Sequence, residues 1–255
     1  MLTTIERHSE IIQQINKTGK VSVEALASEY AVSTVTIRND LNQLDKKSLL
    51  VRSRGGAISS SRITKELSFK QKHIQNHKVK KLLAKETVKL INNGDSIILD
   101  SGTTTEEVAL CLHQHQQLKV MTNGLNVAAK LAQHDGIEVM VTGGTLRQKS
   151  QSFFDSQARD SLRHYHFDKI ILAVDGFDLQ AGITTHFAQE ASLNRLMCEK
   201  SAEIIVVTDS SKFDKRSCHV VQNIDKINTV ITDKGIPAEY IKAFAIAGVE
   251  LIMVD

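Results

Sequence analysis

With 255 residues, the chain has room for one large domain or for a small one joined to a medium one. Hydrophobic residues make up 41% and charged residues 24%, an ordinary globular composition. No apolar run approaches the roughly 20 residues of a bilayer span, so no membrane helix is expected. The net charge of +3 hides an asymmetry: residues 1–60 hold eight basic and six acidic side chains, residues 61–89 nine and two, and residues 90–255 fifteen and twenty-one. A basic front and an acidic back suit a polyanion partner near the N-terminus, although a solvated helix face would also account for the basic block.

The first residues, "MLTTIERHSE", carry charge where a signal peptide would be apolar, so a cytoplasmic location is expected. Cys111, Cys198 and Cys218 are odd in number and form no C-x-x-C pair. That suits a reducing compartment and argues against a disulfide framework or a zinc–cysteine site.

The first helix begins after Thr3, where "TTIE" fits a capping box with Glu6, and it stops at Gly19. Ser22 caps a second helix, "VEALASEY". After the short turn "AVS", Ser33 caps a third, "TVTIRNDLNQLDKK". Two helices joined by so few residues form a helix-turn-helix. At 100° per residue, Ile37, Leu41 and Leu44 turn inward. Val35, Asn39, Asn42 and Lys46 face outward, flanked by Thr36 and Arg38. Asn can pair with adenine, Arg with guanine, and a Val methyl with the thymine methyl. Ser33, Thr34 and Thr36, at the helix start, are placed to hold phosphates. Next, "LLVRSRGGAI" predicts a hairpin that reverses at Gly55-Gly56 and lays Arg52 and Arg54 on the DNA backbone, making the motif winged.

Residues 1–58 are therefore expected to form a winged helix-turn-helix DNA-binding domain, residues 59–78 a basic linker, and residues 79–255 a second domain. The basic stretch becomes helical from Lys78. It can cover a ligand site, touch DNA phosphates, or be a solvated connector.

Seven β-rich runs follow: "SIILD", "LKVMT", "IEVMVT", "KIILAV", "EIIVVT", "INTVIT" and "ELIMV". They alternate with helices such as "EEVALCL", "NVAAKLA" and "EASLNRLMCEKS". The runs are continuously apolar, as in strands buried on both faces of a mainly parallel α/β sheet. Ligands of such sheets sit at the C-terminal strand ends. Polar residues collect there: Asp100, Ser101, Gly102, Thr103, Thr104 and Thr105; Thr122 and Asn123; Gly143, Gly144 and Arg147; Asp175 and Asp178; and Lys212. Gly102 to Thr105 can hold a phosphate at a helix N-terminus, with Lys212 and Arg147 adding positive charge. Asp100, Asp175, Asp178 and Glu190 suit sugar hydroxyls or an ammonium group, and His186 a sugar contact or pocket wall. The pairs His113/His115 and His164/His166 complete no familiar zinc spacing, so no metal and no cofactor is expected.

"VSTVTIRNDLNQLDKK", "RSRGGA", "LDSGTTT", "MTNGLNVAAKL", "TGG", "AVDGFD" and "VVTDSSKF", in this order, resemble the DeoR family of bacterial transcriptional regulators across almost the whole chain. "QSFF", "YHFDKI" and "LNRLMCE" are similar to the AgaR-type branch, repressors of N-acetylgalactosamine and galactosamine operons. The resemblance implies a C-terminal sensor related in fold to ribose-5-phosphate isomerase and glucosamine-6-phosphate deaminase. It also implies a sugar-phosphate effector, such as galactosamine 6-phosphate or N-acetylgalactosamine 6-phosphate, and a homo-oligomer, dimer or tetramer. "VDGFD" and Glu190 resemble isomerase machinery, yet "LQAGITTHFAQE" lacks the isomerase's lysine and Gly-rich run. A non-enzymatic repressor bound to operator DNA is therefore expected; an activator with the same reader, or an active isomerase or deaminase, remains the alternative.

Overall fold

The computed structural model describes residues 2–46, 49–53, 55–59 and 66–255. Backbone contacts divide the chain into two compact units, Met1–Thr64 and Lys65–Asp255.

In the first unit, α1 (Thr4–Thr18) starts at the expected capping box, with both reciprocal hydrogen bonds between Thr3 and Glu6 in place. It ends on Gly19 in the left-handed region. Strand β1 (Lys20–Ser22) follows, then α2 (Val23–Glu29), capped by the Ser22 hydroxyl, and α3 (Thr34–Lys46). Strands β2 (Leu50–Ser53) and β3 (Gly56–Ser59) form an antiparallel hairpin, with β1 on the outer side of β3. Ile11, Ile15, Leu26, Ile37, Leu41, Leu44 and Leu50 make a closed core. Asp40 also turns into this core, where Arg7 and His8 of α1 meet it. Burial works against the Asp40 carboxylate, but the hydrogen bonds from Arg7 and His8 outweigh it and hold the acid below its ordinary range.

The second unit opens with α4 (Phe69–Ile74) and α5 (His77–Thr87). It therefore takes in residues 66–78, which the sequence reading assigned to a linker. Then come β4 (Ser96–Leu99), α6 (Thr103–Cys111), β5 (Leu118–Thr122), α7 (Leu125–Leu131) and β6 (Ile137–Val141). A small hairpin, β7 (Thr145–Arg147) and β8 (Ser152–Phe154), leads through α8 (Ser156–Asp160) to β9 (Phe167–Leu172). Strands β10 (Gly176–Asp178) and β11 (Gly182–Thr185) precede α9 (Ala188–Glu199), β12 (Ser201–Val207), β13 (His219–Gln222), β14 (Thr229–Asp233), α10 (Ala238–Ala247) and β15 (Glu250–Val254).

All seven apolar runs join one sheet, in the order β15-β14-β12-β9-β4-β5-β6, and every pairing is parallel. Alternate residues feed two cores. Ile98, Ile170, Leu172, Val206 and Val230 pack on one face, and Ile97, Leu99, Ile171, Ile205, Val207 and Ile231 on the other. From β4 the chain builds outward through β5 and β6 and then returns to β9, on the other side of β4. The gap between the C-terminal ends of β4 and β9 is therefore the topological switch point, where loops splay apart and leave a crevice. The sequence reading did not include the antiparallel β10-β11-β13 sheet, whose strands are only three or four residues long.

Candidate functional site

Helix α3 carries the candidate nucleic-acid face. The Ser33 hydroxyl accepts the Thr36 N–H at 3.0 Å and pairs with the Thr36 hydroxyl at 2.9 Å, so Ser33 serves as the helix cap. Ile37, Leu41 and Leu44 are buried, while Val35, Arg38, Asn39, Asn42 and Lys46 are exposed and Thr34 and Thr36 half-exposed. Val35, 60% exposed, is an apolar side chain left in solvent on an otherwise polar face, as a methyl contact requires. In the wing, the Arg52 guanidinium donates to the Gly56 carbonyl at 2.7 Å and its backbone N–H to Asp45 at 3.3 Å. Arg52 thus braces the hairpin. Arg54 lies outside the described residues.

In the second unit a cleft opens at the switch point. Asp100 to Thr104 line it from the end of β4, Ala173 to Asp175 from β9, Thr208, Asp209 and Lys212 from β12, and Glu190 and Asn194 from α9. Gly102 precedes α6 with φ 150°, a region that favours glycine, and a Cβ there would meet the Ala173 Cβ at 3.4 Å. The start of α6 offers backbone N–H groups without intrahelical partners, and Thr103, Thr104 and Lys212 line the same cleft.

The cleft also gathers three carboxylates, Asp100, Asp175 and Glu190. Asp100 is buried, and burial, reinforced by the charges of Glu190 and Asp175, pushes its carboxyl up to about 8. It is therefore protonated at neutral pH and can donate a hydrogen bond. Glu190 accepts the Ser150 hydroxyl at 2.5 Å and the Ser152 hydroxyl at 2.6 Å, with Arg147 at 3.6 Å. Asp175 accepts the Lys72 ammonium at 2.5 Å and the Thr185 hydroxyl at 3.0 Å. Burial opposes the Asp175 carboxylate, but the adjacent Lys72 holds it below the ordinary range. Burial pulls the Lys80 ammonium, at the cleft wall, down to about 8.

The cleft therefore gathers Asp100, Ser101, Gly102, Thr103, Thr104, Asp175, Glu190 and Lys212 from the residues read in the sequence. The other eight stand behind it or apart. Thr105 donates to the Gly102 carbonyl at 3.3 Å, and Thr122 accepts the Gly124 N–H at 3.0 Å. Asn123 orients the loop after β4 by accepting the Ser101 N–H at 2.9 Å. Gly143 and Gly144 turn the chain into β7 with φ 65° and 96°, and a Cβ on Gly144 would lie 2.5 Å from the Phe154 carbonyl oxygen. Arg147 pairs with Glu66 through both terminal nitrogens and stacks 4.5 Å from the Phe187 ring centre. Asp178 caps the Gln180 and Ala181 N–H groups at 2.9 and 2.8 Å, and His186 lies 3.4 Å from the Ser217 hydroxyl.

Sequence reasoning missed Phe69, Lys72, Gln75 and Lys80, which come from α4, α5 and the turn between them. One signal was available: nine basic residues in 61–89 against an acidic remainder. The asymmetry pointed outward to a polyanion, yet Lys72 meets Asp175 inside the unit, and His73 and His77 stand 3.4 and 3.5 Å from the buried Glu106 and Glu107. Among the described residues, no group of three or more His, Cys, Asp and Glu could hold a metal ion, and no helix is long and apolar enough to cross a membrane.

A relative from Escherichia coli O157:H7, described as "Putative aga operon transcriptional repressor", is 47% identical over 98% of this chain and 94% of its own length. The "Glycerol-3-phosphate regulon repressor" of E. coli K12 is 31% identical over 89% and 90%. A solved ribose-5-phosphate isomerase, in complex with phospho-erythronic acid, superposes with a TM-score of 0.41 at 17% identity, covering 54% of each chain. Models described as "DeoR-like helix-turn-helix domain" and "DeoR C terminal sensor domain" match residues 7–62 and 75–234. Between them the two models take in the exposed α3 face and every strand lining the cleft, and the chain belongs to the DeoR family of transcriptional regulators.

Proposed function

We propose that this protein is a repressor of a sugar catabolic operon, released from operator DNA by a phosphorylated sugar. Residues 1–58 read the operator, and the second unit, which takes in residues 66–78 together with 79–255, senses the sugar. The observation that carries the sensing role is the mixed lining of the cleft. The start of α6 and Lys212 line it together with Asp100, Asp175 and Glu190. A phosphate suits the first group, and sugar hydroxyls or an amine the second. The resemblance to the aga relative and the three carboxylates both favour an amino sugar, galactosamine 6-phosphate or its N-acetyl form.

On α3, Ser33, Thr34 and Thr36 hold phosphates, while Val35, Arg38, Asn39 and Asn42 read bases; Lys46 and the wing arginines Arg52 and Arg54 add charge. The protein works in the cytoplasm as a dimer or tetramer, because the effector acts by changing the spacing of paired readers. Effector and operator then weaken each other's binding equally, by about 1–3 kcal/mol. Turnover is not expected, because "LQAGITTHFAQE" lacks the isomerase's lysine and Gly-rich run.

The test is fluorescence anisotropy on DNA from upstream of the gene's own operon, titrated with a panel of sugar phosphates and free sugars. Release by a hexosamine phosphate and not by free sugars is the expected result. Tight DNA binding indifferent to every sugar phosphate would refute the sensor, and a rise in transcription in vitro on adding the protein would make it an activator. A coupled isomerase or deaminase assay that Glu190→Gln abolishes would make it an enzyme.

A further inference from the structure

Residues 66–80 form a strap along one wall of the cleft. Glu66 holds Arg147 and lies 3.2 Å from the Lys149 ammonium, and the Phe69 N–H donates to the Lys149 carbonyl at 3.0 Å. Farther along, the Asn76 amide donates to Asp209 at 2.7 Å. The Lys80 ammonium binds the carbonyls of Lys72 and Gln75, which fixes the turn between α4 and α5. Lys72 reaches from this strap into the cleft and lies against Asp175.

The carboxylates of the cleft therefore already include one paired with a cation of the chain itself. Asp175 is largely buried, its side chain 14% exposed, and a buried carboxylate stripped of its counter-ion is strongly disfavoured. A sugar hydroxyl that pushed Lys72 aside would leave Asp175 in that condition. An ammonium group would replace like with like.

We infer that Lys72 is a built-in occupant of the cleft, and that the effector is a phosphorylated amino sugar with a free amine, which takes Lys72's place on Asp175 and loosens the strap. The inference rests on the reading of the cleft as a sugar-phosphate site. It adds a route for the signal. In sequence the strap directly follows the boundary between the two units at residues 64 and 65, and its release is a change on the sensor side of that boundary. It also assigns Lys72 a sign opposite to that of a ligand contact. Occupied by its own lysine, the cleft is only partly available, and apparent affinity falls with the available fraction.

The experiment uses the full chain and Lys72→Met, which keeps the length of the stem and removes the charge. Calorimetric titrations with galactosamine 6-phosphate, N-acetylgalactosamine 6-phosphate and galactose 6-phosphate are paired with hydrogen exchange of residues 66–80. The wild type should bind the free amine most tightly and exchange faster in the strap once it is bound. Lys72→Met should bind that amine roughly tenfold more tightly, the expected gain when a competing occupant is removed. Weaker or unchanged binding by the variant would overturn the inference, as would preference for the acetylated or neutral sugar. Slower exchange of the strap on binding to the wild type would overturn it without recourse to the variant. In each of these cases the sugar-phosphate reading survives; only a wild type that binds none of the three removes both.

Discussion

Helix α3 takes its whole outward face from one 13-residue segment, whereas the cleft draws on residues 69–80, 100–104, 150, 173–194 and 208–212. The face is local: its inward residues anchor it, and its outward residues all come from one helix. The cleft is collective. Its carboxylates shift one another's protonation, and Asp100 is raised in part by Glu190 and Asp175. Substitutions in the first region should act independently of one another, and in the second should couple.

The largest expected effect tests whether the local face depends on its own buried anchor. Arg7→Ala removes the two-pronged partner of Asp40 in the core of the first unit and leaves it only His8, which should cost up to about 3–5 kcal/mol in chemical denaturation of that unit and abolish DNA binding. The melting of the second unit should not move, and a shift there would break the division. Because Asp40 is held below its ordinary range, its contribution is complete above that range and is lost as the pH falls through the lowered value.

Next, Lys212→Ala should leave operator affinity intact but weaken effector binding by about 1.5–3 kcal/mol, as expected for a lost charged hydrogen bond. A normal response in anisotropy titrations would remove Lys212 from the phosphate contacts.

Arg38→Ala sharpens the other side of the comparison. It should weaken specific DNA binding by about 1–3 kcal/mol and relax preference at one base pair, with effector affinity unchanged. Retained operator affinity in competition binding against non-specific DNA would show that Arg38 does not read.

The last test is a slope with pH. The folded protein holds a proton on Asp100 up to about pH 8, whereas the unfolded chain releases it near the ordinary carboxylate value. Stability should therefore fall as the pH rises between those two values, and Asp100→Asn should remove that part of the fall. Parallel pH–stability curves for the two proteins would show that Asp100 is not protonated in the cleft.

The caps at Thr3, Ser22 and Ser33, the inward stripe of Ile37, Leu41 and Leu44, and the seven apolar runs were legible because each depends on spacing within a short segment. The polar residues after β4, β9 and β12 were legible too, since parallel strands deliver their C-terminal loops to one edge. The eight residues at or behind the cleft that do not line it were chosen by the same rule, which says where a loop begins and not which of its side chains the neighbouring hydrogen bonds engage. Asp178 illustrates this: it ends β10 and serves as the cap of its own turn.

Periodicity and composition were enough to establish a helical reader ahead of a doubly covered parallel sheet, because hydrophobic burial acts on every residue of a segment at once. Only the tertiary structure brought Lys72 to Asp175, 103 residues apart in the chain, and Glu66 to Arg147, 81 apart. Charge pairing of that kind leaves no periodic trace: one ammonium meeting one buried carboxylate requires no pattern in the residues between them. The strap's place in the cleft could be known only once the sheet had set where Asp175 lies.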